Sequence, residues 1–205
     1  MKKLAIFGAG GHGLVVAEIA EVVGYQEIHF YDDFRSPTSY YPWPLKGNME
    51  ELLGRLNEYN GIHVALGENS VRKNKACLIS QNGGKLATLI HPRSIISQRS
   101  RIGQGSTIMA GAVVNANTVI GDGVILNTAC TVDHDSFLGD FSHIGPNSAV
   151  AGRVYIGAEC LVGVGATIKP GCTIGDRSVL GAGAVLVRDI PSGVVAVGCP
   201  AEVKL

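Results

Sequence analysis

The stretch VVNANTVIGDGVILNTACTVDHDSFLGDFSHI, residues 113–144, carries an aliphatic residue at every sixth position. The series continues in both directions, and its seventeen members are all Ile, Val or Leu: Ile90, Ile96, Ile102, Ile108, Val114, Ile120, Leu126, Val132, Leu138, Ile144, Val150, Ile156, Val162, Ile168, Ile174, Leu180 and Leu186. The position two residues earlier is mostly small, and the position just after is often Gly, Asn or Asp, which suit turns. This period predicts a parallel β-helix, in which each hexad forms a short strand and a turn and three hexads close one triangular coil.

The seventeen hexads predict between five and six coils, with the aliphatic side chains pointing inward and stacking about 4.8 Å apart. Cys130, Cys160 and Cys172 fall at small inward positions on three different faces, so they cannot converge on a metal and are expected to act as apolar filler. The chain has five cysteines and no zinc-ligand spacing, which favours a reducing, cytoplasmic compartment over a disulfide framework.

The first part of the chain alternates between strand and helix patterns, which indicates a parallel sheet. Nine of the twelve aromatic residues lie before residue 90. We therefore predict an α/β domain over residues 1–88, equivalent to half of a Rossmann fold, followed by a β-helix domain over residues 89–205. The expected elements are strands at 3–7, 27–31, 63–66 and 85–89, helices at 14–23, 48–58 and 70–82, and a loop at 34–47.

Charge and hydropathy exclude several classes of protein. The 17 basic and 17 acidic residues balance, which gives no electrostatic reason to expect nucleic acid as a partner. No apolar run approaches the roughly 18 residues that a membrane span needs. With 46% hydrophobic and 17% charged residues, the chain is not globally disordered.

A glycine-rich loop, Gly8-x-Gly10-x-x-Gly13, lies between the first predicted strand and helix, and Asp32 and Asp33 end the next strand. Glycines let a ligand approach the backbone, and a helix N-terminus favours an anion. NAD is disfavoured because the second mononucleotide half is missing; another nucleotide, or a purely structural turn, remains open. His12 in this loop, and Gly67 and Asn69 after a later strand, are further candidates for nucleotide binding, because ligands bind at the carboxyl edge of such sheets.

The strongest chemical cluster in the repeat is Asp133-His134-Asp135, at a predicted corner of the coil. A carboxylate beside an outward-facing His can fix its tautomer and suit it for general-base catalysis. His143 also faces outward, half a coil away. The two histidines can therefore converge only across a boundary between two β-helices, which would require an oligomer.

Together with the closing Gly198-Cys-Pro-Ala201 segment, these motifs resemble the sialic-acid-type sugar O-acyltransferase family. More closely they resemble its N-acetyltransferase branch, which acts on nucleotide-linked amino sugars such as the UDP-4-amino-4,6-dideoxy-N-acetylglucosamine of the bacillosamine pathway. The resemblance implies a left-handed β-helix, a homotrimer and acetyl-CoA lying between adjacent β-helices, with no metal.

The resemblance also implies roles for individual residues. His134 would be the general base and Asp135 would orient it, while Asn127 would lie beside the base. The nucleotide would be held by Gly10, Gly11, His12, Gly13, Asp32, Asp33, Gly67 and Asn69. Acetyl-CoA would be bound near His143, Gly152, Gly163, Gly181 and Pro200. Glu202 stands where the closing motif usually has a basic residue, a position that Lys204 could serve instead.

Two other acceptors fit the same residues: a GDP-linked amino sugar, and a hydroxyl of a sialic-acid-type sugar. A zinc carbonic anhydrase needs three converging histidines, and His91 lies more than two coils before His134. A non-enzymatic nucleotide-sugar sensor is disfavoured by the Asp-flanked histidine.

Overall fold

The computed structural model describes residues 1–34 and 42–204. Its contacts divide the chain into an N-terminal unit, Met1–Ile90, and a C-terminal unit, His91–Leu205. Among the described helices, none has the length and apolar character needed to cross a bilayer.

The N-terminal unit is a four-stranded parallel sheet of order β3-β2-β1-β4 with helices between its strands. In chain order its elements are β1 (Lys3–Phe7), α1 (Gly11–Val22), β2 (Glu27–Tyr31), β3 (Leu45–Gly47), α2 (Met49–Leu53), a 3-10 turn (Leu56–Glu58), β4 (Gly61–Val64), α3 (Asn69–Gln81) and β5 (Leu89–Ile90). The order reverses between β1 and β4, so the loops after these two strands flank the switch point where α/β sheets bind ligands.

The structure corrects several of the predicted element boundaries in this unit. Helix α1 begins at Gly11 rather than at residue 14, so three residues of the glycine loop form its first turn. The helix expected at 48–58 divides at Gly54 into α2 and the 3-10 turn. The strand expected at 85–89 reduces to an isolated bridge from Leu86 to Ile62, with β5 after it. The loop expected at 34–47 contains β3, and its residues 35–41 lie outside the described part of the chain.

The C-terminal unit is a left-handed β-helix with three parallel faces, which confirms the predicted fold. Face one comprises β6 (Ile95–Ile96), β9 (Val113–Val114), β12 (Thr131–Val132), β15 (Ala149–Val150), β18 (Thr167–Ile168) and β21 (Val185–Leu186). Face two comprises β7 (Arg101–Ile102), β10 (Val119–Ile120), β13 (Phe137–Leu138), β16 (Tyr155–Ile156) and β19 (Thr173–Ile174). Face three comprises β8 (Thr107–Ile108), β11 (Ile125–Leu126), β14 (His143–Ile144), β17 (Leu161–Val162), β20 (Val179–Leu180), β22 (Val195–Val197) and the antiparallel β23 (Glu202–Val203).

The repeat aliphatics from Ile108 to Leu186 are buried and form one continuous core. At the start of the series Ile96 and Ile102 are only partly buried but still pack against this core, as expected, whereas Ile90 is 37% exposed and departs from the expectation. The first coil of the repeat has no earlier coil to pack on, which accounts for the difference.

The small residues of the repeat do more than fill space. Thr118 and Ser148 are buried, and their hydroxyls donate to the carbonyls of Asp133 and Gly163 at 2.9 and 2.7 Å. Each such hydrogen bond ties a turn to the next coil and contributes about 1 kcal/mol. The Sγ atom of Cys160 makes the equivalent contact with the Gly175 carbonyl at 3.1 Å.

Stability should fall in mild acid because of His63, which is 1% exposed in β4. Burial lowers the pKa of His63 to about 4; the positive charge of Arg72 acts in the same direction, against the hydrogen bond to the Ala87 carbonyl. The unfolded chain binds this proton near pH 6.5 and the folded chain only near pH 4. Stability is therefore complete above about pH 6.5, and up to about 3 kcal/mol is lost as the pH falls to 4.

Urea unfolding at a series of pH values measures this loss. A His63→Gln variant should show a flatter profile, while His91→Gln in the first coil of the repeat should keep the wild-type slope. An unchanged slope in His63→Gln would contradict the assignment.

Candidate active site

The corner formed by Asp133, His134 and Asp135 follows β12 and holds an ordered imidazole. The side chain of His134 is 47% exposed, and its Nδ1 lies 2.7 Å from Asp135 Oδ2. The backbone N–H of His134 donates to Asp133 Oδ1 at 2.8 Å. Because the ionised carboxylate can only accept, Nδ1 carries the proton and Nε2 presents a lone pair. The corner can therefore accept a proton from a reacting group.

The carboxylates that flank His134 are stabilised in their charged form. The hydrogen bond from His134 lowers the pKa of Asp135, with a further contribution from Asn117. The backbone N–H of His134 lowers the pKa of Asp133, assisted by Asn115. Both acids therefore remain ionised acceptors at neutral pH.

Gly152 lies one coil after His134 and leaves room for its ring. A Cβ at this position would lie 2.7 Å from His134 Nε2 and 2.8 Å from Cε1. Gly152 was predicted to bind acetyl-CoA; the structure places it against the imidazole, where only a glycine fits without displacing the ring.

His143 and Asn127 form a second polar pair, on face three. Asn127 Oδ1 accepts the Thr128 N–H at 2.8 Å, so the amide nitrogen is directed to His143 Nε2 at 3.1 Å. Nε2 is then the acceptor of the imidazole. Within one chain Asn127 thus contacts His143, and its expected place beside the base stays a prediction.

Gly163 and Gly181 follow strands β17 and β20 of face three. A Cβ on Gly163 would lie 2.5 Å from the Ala182 nitrogen, and one on Gly181 would lie 2.7 Å from a methyl of Val197. Close stacking of coils therefore explains both glycines.

In the closing segment, Pro200 is exposed between β22 and β23, and Glu202 forms an ion pair with Arg188 at 2.9 Å.

In the N-terminal unit, the start of α1 suits an anion. Gly10 caps the helix without a side-chain hydrogen bond, and no acidic residue stands in the first turn. A Cβ on Gly10 or Gly11 would meet nothing within 4 Å, so both face open space, whereas a Cβ on Gly13 would lie 2.1 Å from the Gly8 carbonyl oxygen. Gly10 and Gly11 are therefore placed to admit a ligand, with the half-buried His12 beside them, while Gly13 is required for helix–strand packing.

Asp32 and Asp33 shape the neighbouring edge of the sheet. Asp32 accepts the Ala9 N–H at 2.8 Å and so holds the glycine loop. Asp33 pairs with Lys75 and accepts the Met49 N–H at 2.9 Å; although partial burial opposes ionisation, these bonds hold the pKa of Asp33 below its usual range. A cavity of about 400 Å³ opens beside both acids, with Lys46, Asn48 and Glu51 among its walls. Its carboxylates suit hydroxyl and N–H donors better than phosphate.

The loop after β4 is organised by Arg72, a residue that sequence reasoning missed. Arg72 is 1% exposed; its guanidinium donates to the Leu66 carbonyl at 2.9 Å and to Asn69 Oδ1 at 2.8 Å. Glu68 caps α3 by accepting the N–H groups of Ser70 and Val71. The N-terminus of α3 is therefore already capped by the Glu68 carboxylate. Gly67 is exposed at the tip of this loop.

Among the described residues, no three His, Cys, Asp or Glu side chains are grouped as a metal site would require. Burial raises the pKa of Cys130 to about 12, which makes it a poor nucleophile.

A β-helix that carries a carboxylate-oriented histidine defines a hexapeptide-repeat acyltransferase. Comparison with protein families agrees with this class: residues 3–78 match the PglD N-terminal domain, and residues 153–188 match the bacterial transferase hexapeptide repeats.

Solved structures extend the likeness over the whole chain. The acetyltransferase domain of PglB from Neisseria gonorrhoeae FA1090, in complex with acetyl coenzyme A, is 45% identical with a TM-score of 0.95, over 99% of each chain. PerB from Caulobacter crescentus, in complex with CoA and GDP-perosamine, is 38% identical with a TM-score of 0.94, over 100% of this chain and 98% of that one.

A curated relative, the UDP-N-acetylbacillosamine N-acetyltransferase of Bacillus subtilis (strain 168), is 36% identical over 103 residues. That match spans about half the length of the relative, 47%, and 48% of this chain. The chain belongs to this family of acetyl-CoA-dependent amino-sugar N-acetyltransferases, which confirms the predicted resemblance.

Proposed function

We propose that the protein transfers the acetyl group of acetyl-CoA to the 4-amino group of a UDP-linked 4-amino-4,6-dideoxy-N-acetylglucosamine. The observation that carries the reaction type is the ordered His134 corner, with a half-exposed imidazole whose Nδ1 is engaged by Asp135, so that Nε2 keeps its lone pair. The named activity of the Bacillus subtilis relative supports the acceptor.

A sugar ammonium group cannot attack a thioester until it loses a proton. His134 Nε2 is the acceptor for that proton, and Asp135 holds the imidazole in the required tautomer. The amino nitrogen bonds to the acetyl carbon and gives up a second proton, the bond between that carbon and the CoA sulfur breaks, and CoA takes up a proton and leaves as the free thiol, so that one proton is released overall. Acetyl-CoA supplies the activated acyl group; backbone N–H groups at the coil turns are the candidate donors to the carbonyl oxygen as it gains charge.

In this proposal the N-terminal unit binds the nucleotide. The open start of α1 at Gly10 and Gly11 receives the diphosphate. The acidic cavity beside Asp32 and Asp33 receives ribose and base, which offer hydroxyl and N–H donors. His143, Gly152, Gly163, Gly181 and Pro200 remain the proposed contacts for acetyl-CoA.

A thiol-release assay with acetyl-CoA and a panel of UDP- and GDP-linked 4-amino sugars tests the reaction. We expect turnover with a UDP-linked 4-amino sugar. Preference for a GDP-linked sugar would favour the second candidate, which the match with PerB along the whole chain supports. Absence of turnover with every amino sugar would reject the proposal.

Gly10→Val should impair binding of the nucleotide sugar alone. Val tolerates the extended backbone of Gly10, and its side chain would project into open space where the ligand approaches. We expect the KM for the nucleotide sugar to rise at least about tenfold, the equivalent of one lost hydrogen bond to a charged group. The KM for acetyl-CoA should change little.

Gly13→Ala is the matched variant, because its Cβ would meet the Gly8 carbonyl; it should lower the melting temperature, which Gly10→Val should not. Calorimetry should detect UDP binding to the wild type and no NAD binding. Tight NAD binding, or a Gly10→Val defect confined to acetyl-CoA, would contradict the role of the loop.

We also propose a homotrimer whose active sites combine His134 of one chain with His143 of its neighbour. The two side chains lie on different elements of the β-helix, the corner after β12 and strand β14. Mixing inactive His134→Ala chains with inactive His143→Ala chains should restore part of the activity. Absence of recovery in mixed trimers, with each single variant clearly impaired, would argue against shared sites.

A further inference from the structure

The turn formed by residues 115–118 lies one coil before the catalytic corner and supports it directly. The backbone N–H of Asp135 donates to the Ala116 carbonyl at 3.0 Å. The buried hydroxyl of Thr118 donates to the Asp133 carbonyl at 2.9 Å. The backbone of the corner is therefore held in place by hydrogen bonds from the preceding coil.

Two asparagine side chains extend this support to the carboxylates. Asn117 Nδ2 donates to Asp135 Oδ1 at 3.1 Å, and Asn115 Nδ2 donates to Asp133 Oδ1 at 2.9 Å. Asp135 therefore uses its two oxygens separately: Oδ1 receives the amide of Asn117 and Oδ2 receives Nδ1 of His134. A carboxylate rotates easily about its last torsion, so a fixed Oδ1 determines where Oδ2 points.

The backbone makes asparagine well suited to this position. Asn117 has φ +61° and Asp135 has φ +57°, so both occupy the left-handed region and stack in register. Asn and Asp are enriched in that region among residues with a side chain. Glycine would also adopt this backbone but could not donate to Asp135, so the backbone requirement and the hydrogen bond can be separated by mutation.

We infer that Asn117 is a positioning residue for acetyl transfer: by holding the Asp135 carboxylate, it keeps His134 in the tautomer with Nδ1 protonated and Nε2 free to accept a proton. This inference rests on the proposed function of His134. The lowered pKa of Asp135, caused first by His134 and then by Asn117, agrees with a carboxylate held by both neighbours.

Asn117→Gly and Asn117→Asp test the inference, with Asn147→Gly as the matched control. Glycine keeps the left-handed backbone and removes the donor, whereas aspartate keeps the shape and faces Asp135 with a second negative charge. Asn147 has φ +56° at a turn in a different column of the coil, so its variant reports the cost of the backbone change alone.

Nitrogen-15 chemical shifts of the His134 ring, assigned with His134→Ala, report the tautomer directly. The wild type and Asn147→Gly should show protonated Nδ1 and unprotonated Nε2. Both Asn117 variants should show a mixture of tautomers. Their kcat should fall about 10- to 100-fold, as expected for one lost hydrogen bond to a charged group, with the KM for acetyl-CoA nearly unchanged.

If Asn117 only shapes the turn, both variants will retain the wild-type tautomer and kcat, and the inference is wrong. If the His134 tautomer shifts in the Asn117 variants but the wild-type protein acetylates no amino sugar, the positioning role of Asn117 stands and the proposed reaction fails. If His134→Ala abolishes turnover and the Asn117 variants keep the wild-type tautomer, the proposed function stands and the inference fails.

Discussion

His134→Ala should lower turnover by about 10²–10⁴-fold, the range expected when a general base is lost. In the proposed mechanism the alanine removes the lone pair that accepts the proton of the sugar amine, while acetyl-CoA and the nucleotide sugar keep their other contacts. The loss should therefore appear in kcat, measured by thiol release with saturating substrates.

The variant should fold normally, because the His134 side chain is 47% exposed and the aliphatic core of the coil is untouched. His91→Ala, in the first coil of the repeat, is the control and should retain wild-type turnover. A folded His134→Ala protein with wild-type kcat would remove the imidazole from the mechanism. Asp135→Asn should cost less than His134→Ala, because it weakens orientation and keeps the base.

Gly152→Ala should lower kcat by about 10- to 100-fold, since a displacement of about 1 Å in a reacting group can cost this much. The added methyl carbon would lie 2.7 Å from His134 Nε2, inside van der Waals contact, so the imidazole must move. A single methyl group at a glycine one coil away would then act on the chemistry through the base.

A double-mutant cycle separates this effect from general damage to the coil. In a His134→Ala background the ring is absent, so adding Gly152→Ala should have almost no further effect on kcat. Additive losses would show that Gly152 acts independently of His134, for example by contacting acetyl-CoA as the resemblance implied. A melting temperature close to that of the wild type in both single variants completes the control.

The β-helix could be predicted from sequence because one six-residue period specifies strand, turn and inward face together. The α/β unit offered weaker signals. Strand β3 is only three residues long, too short for an alternating pattern to be recognised, and the segment at 48–58 looked like one helix because Gly54 alone divides it. The start of α1 was missed because its first residues, Gly11, His12 and Gly13, are those of a typical loop.

Within the site, contacts between chain neighbours were predictable and contacts between coils were not recognised. His134 and Asp135 are adjacent in sequence, and their pairing follows from that adjacency. Asn117 and Asp135 are separated by 18 residues, the length of one coil, so counting along the repeat would have found the contact. Arg72 had no such signal, because a basic residue on a helix ordinarily indicates a solvated face.

The 18-residue spacing between stacked partners also restricts how such an enzyme can change in length during evolution. Deleting or inserting one residue between 118 and 133 would shift every later position by one, so that inward and outward side chains exchange relative to the earlier coils and Asn117 no longer stacks on Asp135. Tolerated gaps are then whole coils, or excursions that leave and rejoin the β-helix at the same corner. Divergence of the corner around His134 must therefore proceed almost entirely by substitution.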